Sequence, residues 1–252
     1  MKTALSVLLP KPKKKIVDGA ERFCRSLSTI GPHPIPKSRQ IANEFHRIFS
    51  IKAGMRLVEC ESPLEADAVI WGEARPQVTS ICEQPLRIHG AIGNKPHHTL
   101  DLKFGFDDNT TTYYEVKPES HLKIQDDGEP TPANWPVIRS WFLANGKDCD
   151  VITDETMRRD TQLIENWRTL LPFAIRSYEA PDPSLEKAVI ALLMSNSVST
   201  FASVHERMPD IPSEELTGHL AKLLHQGRLT ANLRRSPVSP MTELRPVGDD
   251  NA

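Results

Sequence analysis

The sequence predicts an α/β protein: a sheet with helices on its faces, followed by a smaller, mostly helical unit. Three observations predict it. Residues 97–106 (HHTLDLKFGF) and 111–119 (TTYYEVKPE) alternate apolar and polar like half-buried strands, separated by Asp107-Asp108-Asn109. Helical patterns lie on either side of this pair. From residue 184 onward, three helical stretches precede two short β-like runs.

In chain order, residues 1–36 are predicted to be a basic arm. Residues 1–40 hold six Lys and three Arg against Asp18 and Glu21, with proline at 10, 12, 32, 34 and 36. Such an arm reads either as a solvated leader or as a segment lying along a phosphate backbone. A first unit is predicted over 37–160. Ser62-Pro63-Leu64-Glu65 opens a helix, with serine as N-cap, proline in the first turn and glutamate closing a capping box. Leu64, Ala68 and Trp71 line one side of it. Residues 79–89 follow as a strand, with Pro85 marking a bend or an edge. After the alternating pair and a loop over 125–133, residues 135–144 read as a helix with Val137, Trp141 and Ala144 on one stripe. Gly146 stops that helix, and 150–153 reads as a short buried strand. The order is helix, three strands, helix, strand.

Residues 161–183 are read as a linker, and a second unit covers 184–247. Its helices are 185–194, 201–208 (capped by Ser199 or Thr200) and one starting at Ser213, with Leu216, Leu220, Leu223 and Leu224 as its apolar stripe and Gly227 as its end. Residues 228–233 and 241–247 would be two strands joined by an Arg-Ser-Pro loop. Three helices and a hairpin are the layout of a winged helix-turn-helix. Residues 248–252 form a tail.

The alternating pair carries the chemistry. Leu100, Leu102, Phe104 and Phe106 share one face, leaving Asp101 and Lys103 on the other; Thr112, Tyr114 and Val116 share one face, leaving Tyr113, Glu115 and Lys117 opposite. A three-residue loop at 107–109, with Asn109 in a left-handed conformation, sets a register that puts Asp101 across from Glu115. Two carboxylates would stand about 5 Å apart on the face away from the core, beside Lys117. They repel unless a cation lies between them, which predicts a divalent-metal site.

Composition narrows the classes. With 252 residues, 38% hydrophobic and 25% charged, the chain suits a soluble globular protein of two units, and a net charge of −2 confines any nucleic-acid surface to local patches. Cys24, Cys60, Cys82 and Cys149 are widely spaced, which argues against a zinc ribbon and fits reduced thiols in a cytoplasm. The opening MKTALSVLLP runs into a lysine-rich stretch without a small-residue cleavage site, so export is not expected, nor is a membrane span.

Glu65 on a helix, then Asp101, then Glu115-Val116-Lys117 on neighbouring strands, resembles the restriction-endonuclease-like nuclease core. Residues 61–65, 83–85, 98–101, 114–117 and 151–154 together look like the TnsA-type endonuclease subunit of heteromeric transposases. The resemblance covers roughly 35–160 well and the winged-helix-like remainder more loosely. A glutamine can stand at the Glu115 position in that family; this chain carries a carboxylate. The resemblance implies an endonuclease that uses Mg²⁺, or Mn²⁺ in its place, and leaves a 5′-phosphate and a 3′-hydroxyl. Asp101, Glu115, the Val116 carbonyl and Glu65 would bind metal, and Lys117 would orient the attacking water or help deprotonate it. The partners implied are double-stranded DNA at transposon ends, a transposase that cuts the other strand, and an ATP-dependent regulator. Gln84, His98, Arg228, Arg234 and Arg235 are candidate DNA contacts.

Plainer alternatives stand beside each residue. Glu65 could be only a helix cap. Asp101 with Lys103, and Glu115 with Lys117, could be solvated cross-strand charges. Gln84 could be an edge amide, and His97 and His98 could simply face solvent. The second unit could dock a protein rather than DNA. The whole chain could be a stand-alone defence or repair nuclease, or a DNA-binding adaptor with an inert nuclease fold.

Overall fold

The computed structural model describes residues 20–21, 45–92, 95–125, 128–195 and 199–248; the basic arm expected over 1–36, apart from residues 20 and 21, and the tail beyond Gly248 lie outside them. In chain order the elements are β1 (Ala20–Glu21), β2 (His46–Ser50), β3 (Arg56–Cys60), α1 (Pro63–Glu73), β4 (Val78–Glu83), β5 (Leu86–Ile92), β6 (Lys95–Thr99), β7 (Leu102–Phe106) and β8 (Thr111–Val116). A 3₁₀ turn (Glu119–His121) leads to β9 (Lys123–Ile124), β10 (Pro130–Thr131), α2 (Trp135–Ala144), β11 (Asp148–Ile152), α3 (Asp154–Arg158) and α4 (Thr161–Glu179). The chain continues with α5 (Pro183–Met194), β12 (Ser199–Thr200), α6 (Phe201–Arg207), α7 (Ser213–His225), β13 (Leu229–Ala231) and β14 (Glu243–Pro246). It is a mixed α/β protein.

The central sheet has the order β11-β8-β7-β4, with β8 antiparallel to β7 and parallel to β11. The β7–β8 hairpin has the register expected from the sequence. Leu102 pairs with Tyr114 and Phe104 with Thr112, Phe106 N–H donates to Thr110 O at 3.0 Å, and Asn109 has φ 64. Continuing this register brings Asp101 beside β8, where its N–H donates to Tyr114 O at 3.1 Å. The strand expected over 79–89 is two strands in different sheets: β4 joins β7, β5 joins β6, and the break falls at Gln84-Pro85.

Both faces of the central sheet are covered. Leu102, Phe104, Tyr114 and Val116 pack with α1 into the larger core, while Leu100 and Tyr113 pack with Trp135, Ile138, Trp141 and Phe142 into a second one. The face of Asp101 and Glu115, expected to lie away from the core, is instead packed at Tyr113 by α2 and β5, and His98 of β6 closes on Glu115. Leu100 also changes sides relative to Leu102: its N–H donates to Leu86 O, tying it to β5. On α2 the buried stripe is Trp135, Ile138, Trp141 and Phe142; Val137 and Ala144, expected on it, are exposed. Gly146 ends that helix with φ 62.

Residues 161–183, expected as a linker, are mostly helix α4, which buries Leu163, Trp167, Leu170 and Leu171. The larger core runs unbroken from Val58 through α1 and α4 to Leu220 and Leu244, so the two expected units share it. In the C-terminal unit α5, α6 and α7 accompany a three-stranded antiparallel sheet in the order β12-β14-β13. Helix α7 lies against α4 at Gly218, where a Cβ would stand 2.4 Å from Ser177 Oγ and 2.9 Å from the Phe173 carbonyl.

Candidate metal centre

Strand β8 fixes the backbone of Glu115 from both sides: Tyr114 pairs with Leu102 of β7, and Glu115 itself lies beside Val151 of β11. Just past the strand, Lys117 N–H donates to Ile152 O at 3.0 Å. Asp101 precedes β7, and its Oδ2 accepts from Val116 N–H at 2.7 Å. This bond turns the aspartate toward the end of β8.

The Lys117 ammonium joins three oxygens: Asp101 Oδ2 at 3.3 Å, Glu115 Oε1 at 2.9 Å and the Val116 carbonyl at 3.1 Å. They are the acceptors assigned to a cation from the sequence, here gathered around the chain's own cation. The second Glu115 oxygen, Oε2, lies 2.8 Å from His98 Nε2. Since a carboxylate only accepts, His98 donates from Nε2. Glu115 is almost fully enclosed, with 2% exposure, yet each of its oxygens has a donor.

The electrostatics follow. Burial and the nearby Glu115 charge push Asp101 above the usual carboxylate range, against the pull of Lys117. Burial works the same way on Glu115, but the His98 hydrogen bond and the Lys117 charge outweigh it and hold this carboxyl low. Burial alone would lower Lys117; the charges of Asp101 and Glu115 override it and hold the lysine above its ordinary value. In this arrangement Lys117 stays an ammonium that donates and offsets charge rather than a base that removes a proton.

Glu65 has the position expected at the start of α1. Its Oε2 accepts from Glu61 N–H at 2.8 Å and its Oε1 from the Ser62 hydroxyl at 3.1 Å, while its own N–H donates to Ser62 Oγ. The Ser62 half of the capping box anticipated as its plainer role is present, but the return bond reaches Glu61 N–H rather than that of the N-cap Ser62. Glu65 is also within electrostatic reach of Asp101 and Lys117; burial pushes its carboxyl up, and its caps and the Lys117 charge pull it down.

Gln84 occupies the strained break after β4, with φ 43. Its N–H donates to Asp101 O at 2.8 Å and its amide to Glu61 Oε1 at 2.9 Å, so it braces the approach to both carboxylate positions. The three candidate arginines lie elsewhere, in the C-terminal unit. Arg228 pairs with buried Glu186 at 3.2 Å, Arg234 pairs with Asp160, and Arg235 is exposed.

Oxygen donors suit Mg²⁺ or Mn²⁺, and two carboxylates and a carbonyl meeting at one cation fit such an ion. Among the described residues, no group of three or more His, Cys, Asp and Glu side chains is placed to hold a metal ion; the set here has two carboxylates and a main-chain carbonyl, with Glu65 turned back onto its helix start. No described helix is long and apolar enough to cross a membrane. Compared with known proteins, the chain matches no family model and no curated protein.

Proposed function

We propose that the protein is a metal-dependent DNA endonuclease that hydrolyses phosphodiester bonds. One observation carries this reading: Asp101 Oδ2, Glu115 Oε1 and the Val116 carbonyl converge on a single cation, the Lys117 ammonium. Asp101, Glu115 and Val116 would hold Mg²⁺ or Mn²⁺, with Glu65 turning outward from its cap to hold a metal-bound water. The ion would neutralise charge on the phosphoryl oxygens and lower the pKa of the attacking water. Lys117, released from the three oxygens, would keep its positive charge beside the scissile phosphate and orient the water. The products would be a 5′-phosphate and a 3′-hydroxyl.

The mixed sheet β11-β8-β7-β4 with α1 and α2 on its faces supports a restriction-endonuclease-like core, and β12-β14-β13 with α5–α7 supports a winged-helix-like unit. Helix α7, which would read a groove in such a unit, is buried from Gly218 to His225. DNA contact by this unit is therefore assigned to the exposed wing side near Arg235. The setting at transposon ends, with a partner transposase and an ATP-dependent regulator, rests on the sequence resemblance.

The test is nicking of supercoiled DNA with Mg²⁺ or Mn²⁺ by the purified chain, alone and together with a transposase and an ATP-dependent regulator of the kind the resemblance implies. Asp101→Asn keeps an acceptor for Val116 N–H and removes the charge, so it should fold and fail to cut. Undiminished cleavage by that variant would remove the centre. Metal-dependent cleavage by the purified chain without partners would favour the stand-alone nuclease over the transposase subunit.

A further inference from the structure

Strand β6 supplies a residue that no catalytic step above uses. His98 pairs in register with Ile88 of β5, in a sheet separate from the one that carries Asp101 and Glu115. Its ring nonetheless reaches Glu115 Oε2 at 2.8 Å, with 18% of the His98 side chain and 3% of the Glu115 side chain exposed.

The backbone of Glu115 is fixed by both neighbouring strands, which leaves the rotation of its carboxyl group as the free variable. A terminal carboxyl torsion is broad and carries little intrinsic preference. Something other than the backbone must decide which oxygen faces Asp101. Lys117 cannot do so once it gives up its three oxygens, because its bond is to Oε1, the atom the cation would take. The His98 bond is to the opposite oxygen and is compatible with an occupied Oε1.

We propose that His98 is a positioning residue for the metal centre, locking the Glu115 carboxylate through Oε2 so that Oε1 stays turned toward Asp101 and the Val116 carbonyl. The proposal rests on the endonuclease reading and deepens it. A hydrogen bond from Nε2 fills one lone pair of Oε2 and limits Glu115 to presenting Oε1. The nitrogen orients a ligand; it is not itself one of the donors.

The test is Mn²⁺ binding by the full chain without DNA, measured by titration calorimetry on wild type, His98→Met, His98→Gln and Asp101→Asn. Methionine fills the ring's volume without a donor, whereas glutamine keeps an N–H near the position of Nε2. His98→Met should weaken Mn²⁺ binding about 10- to 100-fold, the range for lost outer partners of metal ligands, and His98→Gln should restore most of it. In cleavage assays the Met variant should need more metal for half-maximal rate while keeping kcat at saturating metal close to wild type. Equal affinities for the Met and Gln variants and wild type, with Asp101→Asn impaired, would overturn the role of His98 alone. A wild-type chain that binds no Mn²⁺, or an Asp101→Asn chain that binds it as tightly as wild type, would overturn the metal centre and His98's role with it.

Discussion

At the scale of single residues, the centre is a problem in charge. Two carboxylates, one pushed up and one held low, share a lysine that neither can release without cost. That lysine competes with a divalent ion for the same three oxygens. Lys117→Met should therefore tighten Mn²⁺ binding while lowering the cleavage rate, read by calorimetry against nicking; affinity and rate falling together would contradict the competition. Asp101, Glu115 and Lys117 were legible from alternation and register, because both depend only on local pleat and loop length, whereas the Val116 carbonyl came only with the resemblance. The burial of Glu115 was not legible, since α2 and β5 at Tyr113 and His98 of β6 at Glu115 cover that face through tertiary packing that two strands do not encode. His98 was read as a DNA contact or a solvent-facing residue, because alternation along one strand says nothing of a partner in another sheet. Its bond to Glu115 spans two sheets.

At the scale of elements, the capped and periodic segments were the legible ones. Ser62 caps α1 and Thr200 caps α6 as their sequences suggest, and α2 spans Trp135–Ala144. Helix α4, which carries Pro172 in its interior, was read as a linker leading to Pro181 and Pro183. Yet Leu163, Trp167, Leu170, Leu171 and Ala174 keep helical spacing across that proline and all are buried. The β2–β3 hairpin was missed as well; its turn runs through Gly54 and Met55, both with positive φ. The seam between α4 and α7 depends on the missing side chain at Gly218. Gly218→Ala must move either Ser177 or the Phe173 carbonyl and should cost about 1–3 kcal/mol, measurable by urea unfolding. An unchanged midpoint would show that the helices separate without loss.

At the scale of the whole molecule, a buried polar chain ties β2 and α1 to the C-terminal helices. Ser50 Oγ donates to Glu73 Oε1 at 2.5 Å, His225 Nε2 donates to Glu73 Oε2 at 2.7 Å, and the Tyr178 hydroxyl donates to His225 Nδ1 at 2.9 Å. Lys52 donates from its main-chain N–H to Glu73 Oε1, and its ammonium caps α1 through the carbonyls of Gly72, Glu73 and Arg75. Burial lowers the His225 pKa below its ordinary value; Glu73 works against this shift and Lys52 adds to it. The unfolded chain therefore takes up a proton near pH 6.5 that the folded chain resists. The stability held by neutral His225 is complete above about pH 6.5 and is lost as pH falls through the lower folded value. Asp101, held above the usual carboxylate range, gains stability on protonation over the same interval, so the readout is the difference between two proteins: from pH 7 to pH 5 the wild-type Tm should fall relative to that of His225→Gln, and equal slopes would contradict it.

The most direct measurement is an anomalous difference map from crystals of the full chain soaked in Mn²⁺. A peak should appear about 2.1 Å from Asp101, Glu115 Oε1 and the Val116 carbonyl, with Lys117 displaced from all three. An ion-free site, with Lys117 still bridging both carboxylates in a chain that cuts DNA, would contradict the assignment.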